Sequence, residues 1–151
     1  MNEKQFWQLI EETQTASQGS CKQQADLLRL RLVSLSAEDI IEFDRLFQHF
    51  QDKAYSWHLW SAAIIIGDGG CSDDSFTDFR AWLIGQGKDT YYDVLDNPDR
   101  LADIIAWAET AVALIECVIT SITVNINKRI AHQRRINQLN LNRIHVLFIL
   151  Y

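Results

Sequence analysis

The densest polar chemistry in this chain lies between Gly67 and Arg80, in GDGGCSDDSFTDFR. Asp68, Asp73, Asp74 and Asp78 offer four carboxylates close to a glycine-rich turn. Carboxylate oxygens at such a turn are the ligand type that calcium and magnesium take. The calcium-loop template nevertheless fails. With Asp68 at the first position, Asp73 falls where glycine is required and Phe79 falls where the bidentate glutamate is required. A simpler reading makes Ser72 the N-cap of a helix, with Asp73 and Asp74 facing the positive end of its dipole. No metal and no other cofactor is expected.

Cys71 precedes that cap by one residue, a place where a thiol can be activated as a nucleophile, with His58 as a base. No protease or phosphatase signature surrounds it, and a lone cysteine is more often a small buried hydrophobe. The GDGG turn lacks both the Lys-Ser/Thr ending of a phosphate loop and the GxGxxG spacing of a dinucleotide site. It reads as a connection that supplies positive φ angles. Trp57, Trp60, Arg80 and Trp82 form the last constellation. Arg80 can stack on an indole and present its fork to an anion. The plainer expectation is a buried arginine paired with Asp74 or Asp78. The candidate functional surface is therefore Trp57, His58, Trp60, Cys71, Ser72, Asp73, Asp74, Arg80 and Trp82.

Composition bounds what these groups can belong to. The 151 residues fit one domain, and 48% hydrophobic with 23% charged residues is an ordinary globular balance. The net charge of −6 speaks against binding nucleic acid phosphates. The charge is unevenly spread. All 20 acidic residues lie between Glu3 and Glu116 with 9 of the 14 basic ones, a balance of −11. Lys128, Arg129, Arg134, Arg135 and Arg143 follow with no acid, a balance of +5. Cys21, Cys71 and Cys117 are far apart and show neither disulfide-framework nor zinc-knuckle spacing. The polar start, MNEKQFWQLIEE, has no signal-peptide core. The most apolar stretch, Ile104 to Ile126, carries Glu109 and Glu116, so a membrane span is not expected. A cytoplasmic, reducing location is the expectation.

Helical spacing supplies the elements that would hold the site. Phe6, Trp7 and Ile10 predict a helix over Glu3 to Ala16, and Leu28, Leu32 and Leu35 one over Lys22 to Ser34. Ser36 caps a third, carrying Ile40, Phe43, Phe47, Phe50 and Ala54, which is expected to run to Trp57 or beyond. WHLWSAAIII is apolar on nearly all sides and predicts a buried helix or the end of the third one. A helix from Asp73 to Ile84 carries Phe76, Phe79 and Leu83, with Gly87 just past its end. A short helix over Thr90 to Leu95 follows. Asn97-Pro98 then opens one with Leu101, Ile104, Ile105 and Ala108.

Phe6-Trp7 with Ile10, Ala54-Tyr55, Trp57, Trp60, Ala62-Ala63, then GGCSDDSFTDFRAWLIGQGK and NPDRLAD, resemble the DUF4240 family of bacterial proteins. The resemblance covers about residues 1–108 and is most specific from Gly70 to Gly87. It implies a helical, cytosolic, bacterial domain and brings no established activity or catalytic residue. Some relatives pair a similar domain with a WGR-type module, which hints at regulation. After Ala108 the chain departs from the family pattern and turns Ile- and Asn-rich, as a frameshifted or replaced end would. A family-like continuation in another reading frame of the coding DNA is the test.

The expected fold is all-α, five or six helices around one aromatic-rich core, with a domain over 1–116 and an atypical basic tail over 117–151. The expected function is a protein-binding or regulatory module that meets a protein partner through its acidic surface. It would be a monomer or small homo-oligomer that binds neither nucleic acid nor membrane. The alternative is a hydrolase-like enzyme with a site around Cys71, Asp73, Asp74 and Arg80.

Overall fold

The computed structural model describes residues 1–67 and 69–105. Asp68, and with it part of the carboxylate cluster, lies outside the described residues, as do Ala108 and the basic tail. Serine starts most of the helices. Ser20, Ser36, Ser56 and Ser72 each accept a hydrogen bond from the amide three residues on, at 3.1 to 3.4 Å. Each cap satisfies an amide that the first helical turn leaves without a partner. These caps open α2 (Cys21–Val33), α3 (Ala37–Lys53), α4 (Trp57–Ile66) and α5 (Asp73–Gly85). Before them, α1 (Glu3–Ala16) starts with a reciprocal box between Asn2 and Gln5. After them come α6 (Lys88–Asp96), a 3-10 turn over Pro98–Arg100, and α7 (Leu101–Ile105).

The all-α class is as expected, but the described residues hold seven α-helices, not five or six. The count turns on the third helix. The third helix stops at Lys53, and α4 starts afresh at Trp57. Ser56 takes an extended backbone there, and its hydroxyl accepts from the Leu59 amide. Asn97 caps the 3-10 turn, and α7 follows it, at the boundary that Asn97-Pro98 predicts.

The core is as aromatic as the sequence suggests. Phe6, Phe43, Phe47, Phe50, Phe76 and Tyr91 are all buried. Phe6 meets Phe43 at 5.1 Å and Phe50 at 5.2 Å, and Trp7 meets Phe50 at 4.6 Å between ring centroids. Each such ring removed from water contributes about 1.5–3 kcal/mol before its ordering entropy is counted. Helix α5 sits at the centre and packs on α1, α3, α4 and α6. Its expected stripe of Phe76, Phe79 and Leu83 widens to every residue from Phe79 to Gly85. A helix surrounded on all sides needs apolar side chains on all sides.

Helix α4 reverses the expectation of a buried element. Only Leu59 and Ala63 are fully buried. Trp57 and Ile65 are each 78% exposed, and Ile64 and Ser61 also face outward. Positions 57, 61, 64 and 65 share one face of a helix. An apolar composition on all sides thus marks an apolar surface here rather than burial.

Candidate functional site

The turn between α4 and α5 closes on itself. The Gly69 amide donates to the Ile64 carbonyl at 2.9 Å, and the Gly70 amide to the Gly67 carbonyl at 3.2 Å. Two of the amides a phosphate would need are therefore occupied. Gly69 has φ +89°, and a Cβ on Gly67 would lie 2.5 Å from the Gly70 carbonyl oxygen. Both positions require glycine for backbone reasons. Ser72 caps α5 as expected, and its hydroxyl also lies 2.9 Å from that of Ser75. Asp73 and Asp74 stand exposed in the first turn.

Cys71 is half-buried, and burial pushes its thiol pKa up. Its sulfur points to the Ser72 carbonyl at 3.7 Å, while the Trp60 indole N–H donates to the Cys71 carbonyl at 3.0 Å. Here Cys71 holds an aromatic ring through its backbone. His58 is exposed on the first turn of α4, and no hydrogen bond joins it to Cys71. A thiol with a raised pKa is a poor nucleophile at neutral pH. Among the described residues no group of three or more His, Cys, Asp or Glu is arranged to hold a metal ion.

Arg80 and Trp82 are not surface residues, at 6% and 3% exposure. They leave the candidate surface for the core. Nor does Arg80 pair with Asp74 or Asp78. Its guanidinium donates to the Gln51 carbonyl at 2.8 Å, to the Thr77 hydroxyl at 3.0 Å and to the Phe76 carbonyl at 3.3 Å. It also lies over the Tyr55 and Phe76 rings at 4.8 and 4.9 Å. Gln51 belongs to the last turn of α3, where carbonyls lack helical partners and the dipole is negative. Arg80 is thus a C-terminal cap delivered from a neighbouring helix. Burial lowers its pKa, while the fields of Tyr55, Asp73 and Asp52 raise it again. A guanidinium stays charged in either case.

A ladder of rings links this buried cap to the surface. Trp57 stacks on Trp60 at 5.4 Å and 11°, and Trp60 on Phe76 at 4.8 Å and 12°. Phe79 and Trp82 continue it inward at 6.3 and 5.5 Å steps. Tyr55 meets both Trp60 and Phe76 edge-on, at 5.8 and 5.7 Å. The structure therefore joins Trp57, Trp60, Arg80 and Trp82 to Cys71 through one stack, in which Trp57 and Tyr55 are exposed while Trp60 and Cys71 are partly buried. Tyr55, Gln51 and Thr77 escape sequence reasoning as partners of Arg80. Gln51 and Tyr55 lie on or just after α3, and no spacing relates them to Arg80; Thr77 stands three residues before Arg80 on α5, a helical spacing that could have found it.

A groove of about 220 Å3 lies beside the start of α1, lined by polar groups including Gln5, Gln8, Glu12 and Asp39. The Met1 amine donates to Asp39 there at 2.6 Å. None of the sequence candidates lies in it.

A family model described as a protein of unknown function, DUF4240, matches residues 1–121. The chain belongs to the DUF4240 family. The match reaches beyond residue 108, where the resemblance read from the motifs stops, and beyond the expected domain edge at 116. No curated protein and no solved structure matches this DUF4240 chain. Among its described residues no helix is long and apolar enough to cross a membrane.

Proposed function

We propose that this DUF4240 domain is a protein-binding or regulatory module, and that its contact surface is the outer face of α4. One observation carries this reading: Trp57, Ile64 and Ile65 present apolar surface to solvent on one helix face. Single exposed apolar residues are ordinary, but several on one face mark an interaction site. Tryptophan is also enriched among the residues that dominate binding energy. The acidic balance of the chain supports the same reading, since it favours a polypeptide partner over nucleic acid or an anionic membrane surface. Cytosolic work suits three cysteines without framework spacing.

The experiment compares captures from the host cell by wild type, by Ile65→Asp and by Lys22→Ala. A partner held by wild type and Lys22→Ala but lost by Ile65→Asp supports the reading. Equal capture by all three overturns it.

A further inference from the structure

We infer that the partner is a cationic amphipathic helix that places a lysine or arginine side chain on the outer face of the Trp57 indole. This rests on the proposed role of α4 and adds the chemistry of what binds there.

The first support is the way Trp57 is held. Trp57 is 78% exposed, yet its ring is nearly parallel to Trp60 beneath it. Trp60 is fixed in turn by its N–H bond to the Cys71 carbonyl and by its stack on fully buried Phe76. A ring so supported loses little freedom on binding, and its outer π-face is negative. Such a face attracts an ammonium or guanidinium. The same aromatic cluster already does this on its inner side, where Arg80 lies over Tyr55 and Phe76.

The second support is charge. Asp52 precedes α4 and Asp73 follows it, and both act on the Arg80 beneath the cluster. Asp74 is exposed beside Asp73 at the start of α5, which packs on α4. Asp99 is exposed in the 3-10 turn, which also packs on α4. The nearest cation of that turn, Arg100, is paired with Asp103 at 3.7 Å. Lys53, exposed beside Asp52, is engaged with the Tyr92 hydroxyl and ring, so the elements flanking and packing on α4 keep an acidic balance; an apolar strip in such a setting selects an apolar stripe flanked by basic residues. It also disfavours a second copy of this chain, whose strip has the same acidic setting, and an anionic bilayer.

The test uses the full chain and two synthetic amphipathic helical peptides with the same leucine stripe. One carries arginines beside the stripe and the other glutamines. Binding is read by isothermal titration at low and at physiological salt. The arginine peptide is expected to bind about 5-fold tighter, from the cation–π and charge terms together. Trp57→Leu, which keeps an apolar side chain, should cut that preference by at least about 2-fold, the size of an exposed cation–π contact, and leave the glutamine peptide's affinity nearly unchanged; an undiminished preference in Trp57→Leu would overturn the placement of the cation on the indole. Equal binding of the two peptides to wild type, lost in Ile65→Asp, would overturn the cationic partner and leave the α4 docking role standing. Binding of neither peptide overturns both. Three other outcomes also overturn the inference: an Ile65-dependent dimer in sedimentation, association with phosphatidylglycerol vesicles, or a Trp57 that acrylamide cannot quench in the free chain.

Discussion

The Tyr91 hydroxyl donates to the Phe50 carbonyl at 2.6 Å, joining α6 to the last turn of α3 inside the core. That carbonyl also accepts the Ala54 amide at 3.1 Å. Removing the hydroxyl therefore orphans nothing, and the loss is that of one net hydrogen bond. Tyr91→Phe should cost about 1 kcal/mol in urea unfolding. A loss above about 3 kcal/mol would mean that the hydroxyl does more than bridge these two helices.

The same burial sets an alkaline limit. It raises the Tyr91 pKa well above the ordinary tyrosine range, with the neighbouring Tyr92 adding to the shift. The folded chain thus keeps a proton that the unfolded chain releases. Stability is full below about pH 10, the ordinary tyrosine value, and falls as the pH rises above it. The fall should be shallower in Tyr91→Phe than in wild type. Identical alkaline slopes in chemical denaturation would rule Tyr91 out as its source.

Arg80 predicts a less common pattern, because its partners carry no formal charge. Arg80→Met keeps most of the volume but leaves the Gln51 carbonyl without its donor, so a loss of about 2–3 kcal/mol is expected. Arg80→Lys should recover little of it. One ammonium cannot reach Gln51, Thr77 and Phe76 together, nor lie flat on Tyr55. Urea midpoints of the two variants check this, and a lysine variant as stable as wild type would refute the capping account.

Gly87 joins α5 to α6 with φ +90° and ψ 168°, a region nearly closed to other residues. A Cβ there would meet the Glu11 side chain at 3.4 Å, an ordinary contact. The penalty for Gly87→Ala is therefore one of backbone strain, about 1–3 kcal/mol. Glu11→Ala in the same background should not relieve it. Relief by Glu11→Ala would show that crowding sets the cost.

What the sequence made legible follows from what local rules can see. Ser36, Ser72 and Asn97 announce helix starts because capping is a contact within a few residues. Phe43, Phe47 and Phe50 announce a core face because burial on α3 has helical period. Arg80 was read as buried but given carboxylate partners, since charge pairing is the usual reason for burying it. Two of its acceptors, Phe76 and Thr77, stand one turn back on its own helix, but the third, the Gln51 carbonyl, belongs to another helix's end, which no spacing encodes. Helix α4 misleads in the other direction. Its composition forces apolar residues onto every face, so composition cannot say which face meets solvent. Only the packing on α5 and the 3-10 turn decides that Leu59 and Ala63 point in and Trp57 and Ile65 point out.

The groove at the start of α1 carries an acid-sensitive contact that no motif foretold. Asp39 accepts from the Met1 amine at 2.6 Å and from the Ser36 hydroxyl at 3.1 Å. The amine first, and the hydroxyl second, hold its carboxyl below the ordinary range. A depressed folded pKa means that the contribution is present above the ordinary carboxylate value of about 4 and fades as the pH drops through the folded value. Asp39→Asn should therefore lower stability at pH 7, and the difference from wild type should narrow as the pH drops through the folded Asp39 value and the carboxyl takes up its proton. Acetylating the amine should flatten the same limb without touching the Ser36 cap. Urea midpoints across that pH range give the answer, and an acid limb as steep in Asp39→Asn as in wild type would assign it to other carboxylates.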